Sequence, residues 1–420
     1  MRYLTVVSDL GSRGTQRVAQ NYSIAMAARG HEVAVLAIKE SGSREAVLAQ
    51  KNIPVWIGGE NLSKALTKVR TFEADVIHVH RPGMNEQYWS PVLRSLKTSG
   101  SRILETNVFG RVDYSQDASF IDVHLQISRW CLYRWRRWLG RRKQVGVYLP
   151  NAVDLESFHF MDDQARKISR KSFELPDASF VCGRIGKWRP CIFDAFQALL
   201  KICPDALLLN VADHADSQGF VSQLPSEVQQ RIVAIPAFSD DSGLARFYGS
   251  IDCLLQVSPN GESFGMVLAE SMACGTPVVT ASMPHKDNAQ VEVVCHGEGG
   301  VVAGSAAKLG ETLTGFYGDI ALQKACSSNA RKLIVDRYGI TDVSARIEAI
   351  ARHAVDSSDR NDLVERLQND KLFELDIEHE EISQSLSETF GGPDKAEIAL
   401  MRMVHNPIAY RIYSRFLHGY

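Results

Sequence analysis

Along the first 150 positions, apolar residues come in short, nearly continuous runs: RYLTVV, EVAVLAI, IPVWIG, ADVIHVH, RILET, VHLQI and VGVYLP. Longer stretches with helical spacing lie between them, AQNYSIAMAARG being the first. Strands that are apolar on both faces and alternate with helices predict βαβ units, because only a parallel sheet covered on each side buries such strands. A second series follows: SFVCGRI, ALLLNVAD, RIVAIP, IDCLLQV, PVVTA and GGVVAG. The pattern predicts an α/β protein of two Rossmann-like domains whose parallel sheets face a central cleft, the natural place for a ligand.

The polar, turn-rich stretch LPNAVDLESFHFMDDQARKISRKSF separates the two series and reads as a hinge. The expected division is a first domain over 1–153, a linker over 154–177, a second domain over 178–354, and an extension over 355–420. That extension begins acid-heavy and weakly periodic, as an exposed helical excursion or a partly disordered stretch would. It ends in NPIAYRIYSRFL, whose apolar spacing predicts a helix docked on a domain.

One junction carries candidate chemistry. After IDCLLQV the chain reads SPNGESFGMVLAESMACGTP, a strand, a turn, a strong helix and its stop signal. Ligands of open α/β sheets bind outside the carboxyl ends of strands, and a helix amino end there offers unpaired N–H groups and partial positive charge to a phosphate. Gly261 and Gly265 permit close backbone approach, and Glu262 at the mouth can reach sugar hydroxyls. Glu270, within the helix, can accept bonds from a vicinal diol. Taken singly, Glu262 reads as well as a dipole partner, and Glu270 as a solvated helical residue.

The whole segment GESFGMVLAESMACGTPVV resembles the two-glutamate motif of family 4 retaining glycosyltransferases, which have the GT-B fold. GTQRVAQNYSIAMAARGHEV, DVIHVH, ETNVFG, LPNAVD and GRI fall in that family's order, so the resemblance spans roughly residues 1–350. It implies transfer of a sugar from a nucleoside-diphosphate donor to a glycan or lipid-linked hydroxyl acceptor. Glu262 would position the donor sugar and Glu270 would hold the ribose. Amides around Phe264, Gly265, Met266 and Val267 would meet the sugar and diphosphate. Arg184 would bind phosphate, with Lys187 preferred over Arg189 as the second cation. Gly14, in SDLGSRGTQR, would lie close to the diphosphate or acceptor. His80 and Asn107 would lie on the acceptor side, Asn107 standing where many relatives carry histidine. An asparagine can hydrogen-bond there but cannot take a proton. The leaving phosphate of such enzymes is thought to accept the acceptor's proton on the same face.

No Asp-x-Asp triplet occurs, so cationic side chains and helix amides would neutralise the diphosphate, with no metal or other cofactor required. GSRGTQ misses the dinucleotide spacing G-x-G-x-x-G, which weakens a dehydrogenase reading. Two rivals stay open: a nucleotide-sugar epimerase or hydrolase of the same plan, and a non-catalytic nucleotide-sugar binder.

The formal net charge of −2 gives no global footprint of a nucleic-acid binder. Eight scattered cysteines, without a CxxC pair, read as reduced core residues, and no apolar run reaches membrane-spanning length. A cytoplasmic protein is expected. RWCLYRWRRWLGRRK, residues 129–143, carries seven basic residues and three tryptophans with no acid. Such a helix suits the inner face of an anionic membrane as a peripheral contact, or packs its tryptophans inward beneath solvated arginines.

Overall fold

The computed structural model describes residues 1–84, 86–97, 100–186, 189–211, 221–238, 240–378, 380–382, 384–385 and 395–418. It divides into two compact units, one of Met1–Ala152 with Ile340–Ile382 and Lys395–Tyr420, the other chiefly Val153–Gly339.

Seven strands form the first unit's sheet: β1 Arg2–Asp9, β2 Glu32–Glu40, β3 Val55–Ile57, β4 Val76–Arg81, β5 Arg102–Asn107, β6 Val123–Gln126 and β7 Gly146–Tyr148. Their order is β3-β2-β1-β4-β5-β6-β7, with every pairing parallel. The reversal of winding lies between β1 and β4, where the carboxyl ends of both strands open toward a ligand position. Leu4, Val6, Leu36, Ile77, Val79 and Ile103 pack beneath Trp89, Leu93 and Leu96.

The second unit repeats the scheme. Its strands are β8 Val181–Ile185, β9 Leu207–Val211, β10 Ile232–Ile235, β11 Cys253–Leu255, β12 Gly261–Glu262, β13 Val278–Ala281, β14 Asp287–Asn288 and β15 Gly300–Ala303. Six form a parallel sheet ordered β10-β9-β8-β11-β13-β15, while β12 and β14 make a separate two-stranded pair. All thirteen main-sheet strands coincide with the apolar runs read from the sequence, β1, β2, β4 and β5 continuing one or two residues past them.

The boundaries differ from those expected. The 154–177 segment contains a helix, Asp163–Ser172, fixed to the second unit. Its Arg166 and Arg170 clamp the two carboxylate oxygens of Asp252 at 2.7 and 2.6 Å, and Asp252 also accepts the Val181 amide at 2.7 Å. The expected end of the second domain at 354 moves to Gly339, because helix Ile340–Asp356 packs with the first unit. There Glu348 pairs with Arg29 at 2.5 Å and with His31 at 3.2 Å.

The extension begins as helix Arg360–Asn369, then runs along β7, where Tyr148 N donates to Glu374 O at 2.8 Å. The acid-heavy stretch is thus a helix followed by chain laid along the first unit, and residues 386–394 after it lie outside the described residues. Helix Pro407–His418 confirms the docked tail: Tyr410 stacks on Trp138 with ring centroids 3.9 Å apart and planes 7° from parallel. The three tryptophans of helix Arg129–Leu139 are buried, as the inward-packing alternative expects. Trp138 donates to Val404 O at 2.9 Å, and Trp130 packs edge-on against His405. Among the described residues no helix is long and apolar enough to cross a membrane.

Candidate active site

In the second unit, the ends of β8 and β11 lie side by side, and the loop after β11 leads to Glu262. Gly261 stands at φ 69° in the β12–β14 pair, where an added Cβ would come within 1.5 Å of Asp287 O. Gly265 takes φ 93° at the cap of helix Met266–Ala273, a left-handed conformation strained for any larger residue. Both glycines are thus required by geometry. Met266 and Val267 are half-buried, so the first-turn amides, which lack partners within the helix, stand near the surface.

Glu262 is half-buried, and its amide donates to Gln290 Oε1 at 3.0 Å. Gln290 is held in turn through Ala281 O at 2.9 Å, and Ser263 Oγ donates to Asp287 Oδ2 at 2.7 Å. Burial, and then the neighbouring Asp287 carboxylate, raise the Glu262 carboxyl to about 7. At neutral pH that group sits near the midpoint of its titration, a property frequent at reactive sites.

Arg184 is buried at the end of β8, where its Nη1 donates to the side-chain oxygen of Gln256 at 3.4 Å. Among the described residues no carboxylate pairs with it, and its Nε has no hydrogen-bond partner. Burial, reinforced by Arg189, lowers the guanidinium to about 10, so it stays charged at neutral pH. A buried cation without a counter-ion is a strong anion seat, since a phosphate supplies the charge that burial has removed. Lys187, expected as the second cation, lies outside the described residues, and Arg189 is half-buried at the cap of helix Pro190–Leu200.

On the donor side, Glu270 is fully buried and accepts from the Tyr248 hydroxyl at 3.1 Å. Phe264 is also buried, its ring 5.2 Å edge-on from that of Tyr338, leaving its main chain as the part near the site. Gln256, Asp287 and Gln290 organise the site but escaped the sequence reading. The only signal for Asp287 and Gln290 was the polar pair Asp287–Asn288 just before helix Ala289–Val294, and nothing marked Gln256.

In the first unit, Gly14 is exposed as the first residue of helix Gly14–Ala28, whose cap residue Arg13 makes no side-chain capping bond. The preceding turn is tied by Asp9, which accepts Gly11 N and Gln16 Nε2, each at 2.9 Å. Burial alone would raise the Asp9 carboxyl, but the Gly11 amide, Ser8, Arg13 and Gln16 hold it below its usual range. His80 is buried, and neither ring nitrogen has a hydrogen-bond partner among the described residues. Burial lowers its imidazole to about 3 and keeps it neutral. Asn107 is fully buried, donating to Arg111 O at 2.7 Å and accepting Arg111 N at 3.1 Å. Its amide thus ties the 107–111 loop at the end of β5.

Residues 194–333 match the family model described as Glycosyl transferases group 1. A phosphatidyl-myo-inositol mannosyltransferase of Mycobacterium leprae is 27% identical over 360 residues, spanning 80% of this chain and 91% of that protein. Its namesake from Mycolicibacterium smegmatis is 25% identical over 356 residues, 76% of this chain and 84% of its own. The chain is a glycosyltransferase. Solved structures give the fold of this glycosyltransferase as GT-B. The Anabaena HepE structure, in complex with UDP and glucose, superposes with a TM-score of 0.66 at 17% identity, covering 83% of this chain and 98% of its own. A glycosyltransferase from Rickettsia africae gives 0.67 at 14% identity, covering 85% and 99%.

Proposed function

We propose that this glycosyltransferase is a retaining enzyme of family 4 that moves a hexose from a nucleoside-diphosphate sugar to a hydroxyl on a glycan, glycolipid or lipid-linked acceptor, without a metal ion. The observation that carries this reading is Arg184, a buried cation with no carboxylate partner among the described residues, at the end of the strand that pairs with β11, from which the Glu262–Gly265 loop departs. Breaking the bond between sugar and diphosphate concentrates negative charge on the distal phosphate. Fixed dipoles and cations aimed at that charge lower the barrier without reorganising. Arg184 and the amides of Met266 and Val267 serve this end, with Lys187 or Arg189 as the second cation. Glu262 orients the donor sugar, and the departing phosphate takes the acceptor's proton on the face it leaves. The mannosyltransferase relatives support a lipid-borne hydroxyl as acceptor and a mannosyl donor as the first to try.

The test is incubation with a panel of nucleotide sugars and hydroxyl acceptors, including inositol phospholipid in micelles. The expected product is a glycoside with the donor's anomeric configuration, formed equally well in the presence of a chelator. Glu262→Gln should lower turnover by roughly a hundredfold or more, the scale of losing one preorganised electrostatic contact. An inverted anomer, release of free or epimerised sugar, or binding without turnover would defeat the proposal.

A further inference from the structure

The tail presents apolar residues on the side it does not pack. Tyr410 is 5% exposed against Trp138, whereas Ile408 and Ile412 are 70% and 53% exposed. Each isoleucine is two positions from Tyr410, about 200° around the helix, so the pair forms a ridge directed away from the unit. Met403, in the preceding helix Lys395–Val404, is exposed as well. From Ile398 to Tyr420 the chain carries Arg402, Arg411 and Arg415 and no acidic residue.

A cationic surface adjoins this ridge. Gly140, where helix Arg129–Leu139 ends, lies against Pro407, where the tail helix starts; an added Cβ would stand 3.9 Å from that of Pro407. Arg141, Arg142 and Lys143 follow, all exposed. The Arg142 guanidinium lies 4.3 Å from the ring centre of Tyr114, and the Tyr114 ring is 6.0 Å from that of Tyr410. An open cavity of about 480 Å³ is lined there by Tyr114, Phe120, Arg142, Lys143, Arg360 and Asp113. Asp113, the one lining carboxylate among the described residues, is buried and paired with Arg81 at 2.9 Å, which leaves the described lining cationic. The nearby acids are engaged: Glu374 and Glu381 pair with Arg129, at the other end of the eleven-residue helix and about 15 Å away. Beside Arg360, Asp362 pairs with Arg366, and Asp359 caps its helix through the Asn361 and Asp362 amides.

We propose that this face docks on an anionic lipid bilayer, Ile408, Ile412 and Met403 entering the boundary between headgroups and acyl chains while Arg142, Lys143, Arg360 and Arg411 meet lipid phosphates. An acid-free amphipathic helix with apolar residues on its free side is built for that interface, and each cation close to an anionic surface adds about fivefold to the partition. Charge complementarity selects the lipid: exposed isoleucines elsewhere, Ile168, Ile202 and Ile320, lie in the second unit, outside this cluster of cations. The surface differs from the tryptophan helix itself, which the tail covers.

The experiment is co-sedimentation of the full chain with vesicles of phosphatidylcholine alone and of phosphatidylcholine mixed with phosphatidylglycerol. Pelleting is expected only with the anionic vesicles and should fall as salt screens the cations. The double variants Ile408→Asp/Ile412→Asp and Arg142→Glu/Arg411→Glu should each bind roughly tenfold more weakly or worse. Ile202→Asp/Ile320→Asp should bind as the parent does. All of these positions are on the surface, and thermal unfolding verifies that each variant folds. Equal binding by tail and control variants, equal pelleting with neutral vesicles, or no pelleting at all overturns the proposal. Because the readout needs no donor, its failure stays distinct from failure of the transferase reading.

Discussion

Asp287→Asn isolates the electrostatics of the candidate site. It removes one negative charge beside Glu262 while keeping an oxygen that can accept from Ser263 Oγ. The Glu262 carboxyl rises from 4.5 to about 7, with burial the larger cause and Asp287 the smaller. Asp287 therefore supplies less than half of the rise, at most about one pH unit, or about 1.4 kcal/mol. If ionised Glu262 is the active form, donor-dependent turnover climbs through pH 7 in the parent. In the variant that limb should move down toward about pH 6. The stability effect has a definite sign. A carboxyl raised by folding contributes stability that is whole below its unfolded pKa and is lost as pH passes its folded one. The parent should thus lose stability between pH 4.5 and 7. The variant should lose less, by up to about 1.4 kcal/mol, in denaturant titrations compared at pH 4 and pH 8. An acid limb that stays put, or moves upward, refutes the coupling between the two carboxylates.

Arg184→Ala should weaken binding of free nucleoside diphosphate about tenfold to a hundredfold in calorimetry, the scale of a charge-assisted contact; unchanged affinity removes Arg184 from the phosphate seat. Glu348→Gln should destabilise the first unit. Burial opposes ionisation of Glu348, but Arg352, Arg29 and His31 outweigh it and hold the carboxyl down at about 2. Its contribution is present above pH 4.5 and fades as pH falls toward 2, so parent and variant should differ by about 2 kcal/mol in unfolding at pH 7 and converge in acid.

The sheets were readable because central parallel strands are apolar on both faces, as IDCLLQV shows, and few other elements are. The start of helix Met266–Ala273 was readable because Gly265 and a strong helical run follow the turn directly. The β12–β14 pair was not, since two residues per strand carry no periodicity, and Gln290 reaches Glu262 from 28 positions away. An apolar stripe reports that a face is covered but not by what. The tryptophans of helix Arg129–Leu139 fit lipid as well as they fit Tyr410, and Tyr410 lies far along the chain. The stripe of helix Ile340–Asp356 equally announced packing without naming the unit it joins. Glu270 followed the motif in sequence, while its side chain turns to Tyr248, a preference set by helix Asp241–Ser250.

The first unit is assembled from both ends of the chain, and this orders events on the ribosome. At translation speeds of about 5–20 residues per second, the polypeptide emerges for roughly ten to forty seconds between Ala152 and Ile340. During that interval the nascent first half lacks the helix bearing Glu348, and Trp138 lacks its Tyr410 lid. The contiguous Val153–Gly339 unit can therefore complete itself while its predecessor is still waiting. Truncated versions ending before Tyr410 should inherit that unfinished state permanently and favour capture by chaperones.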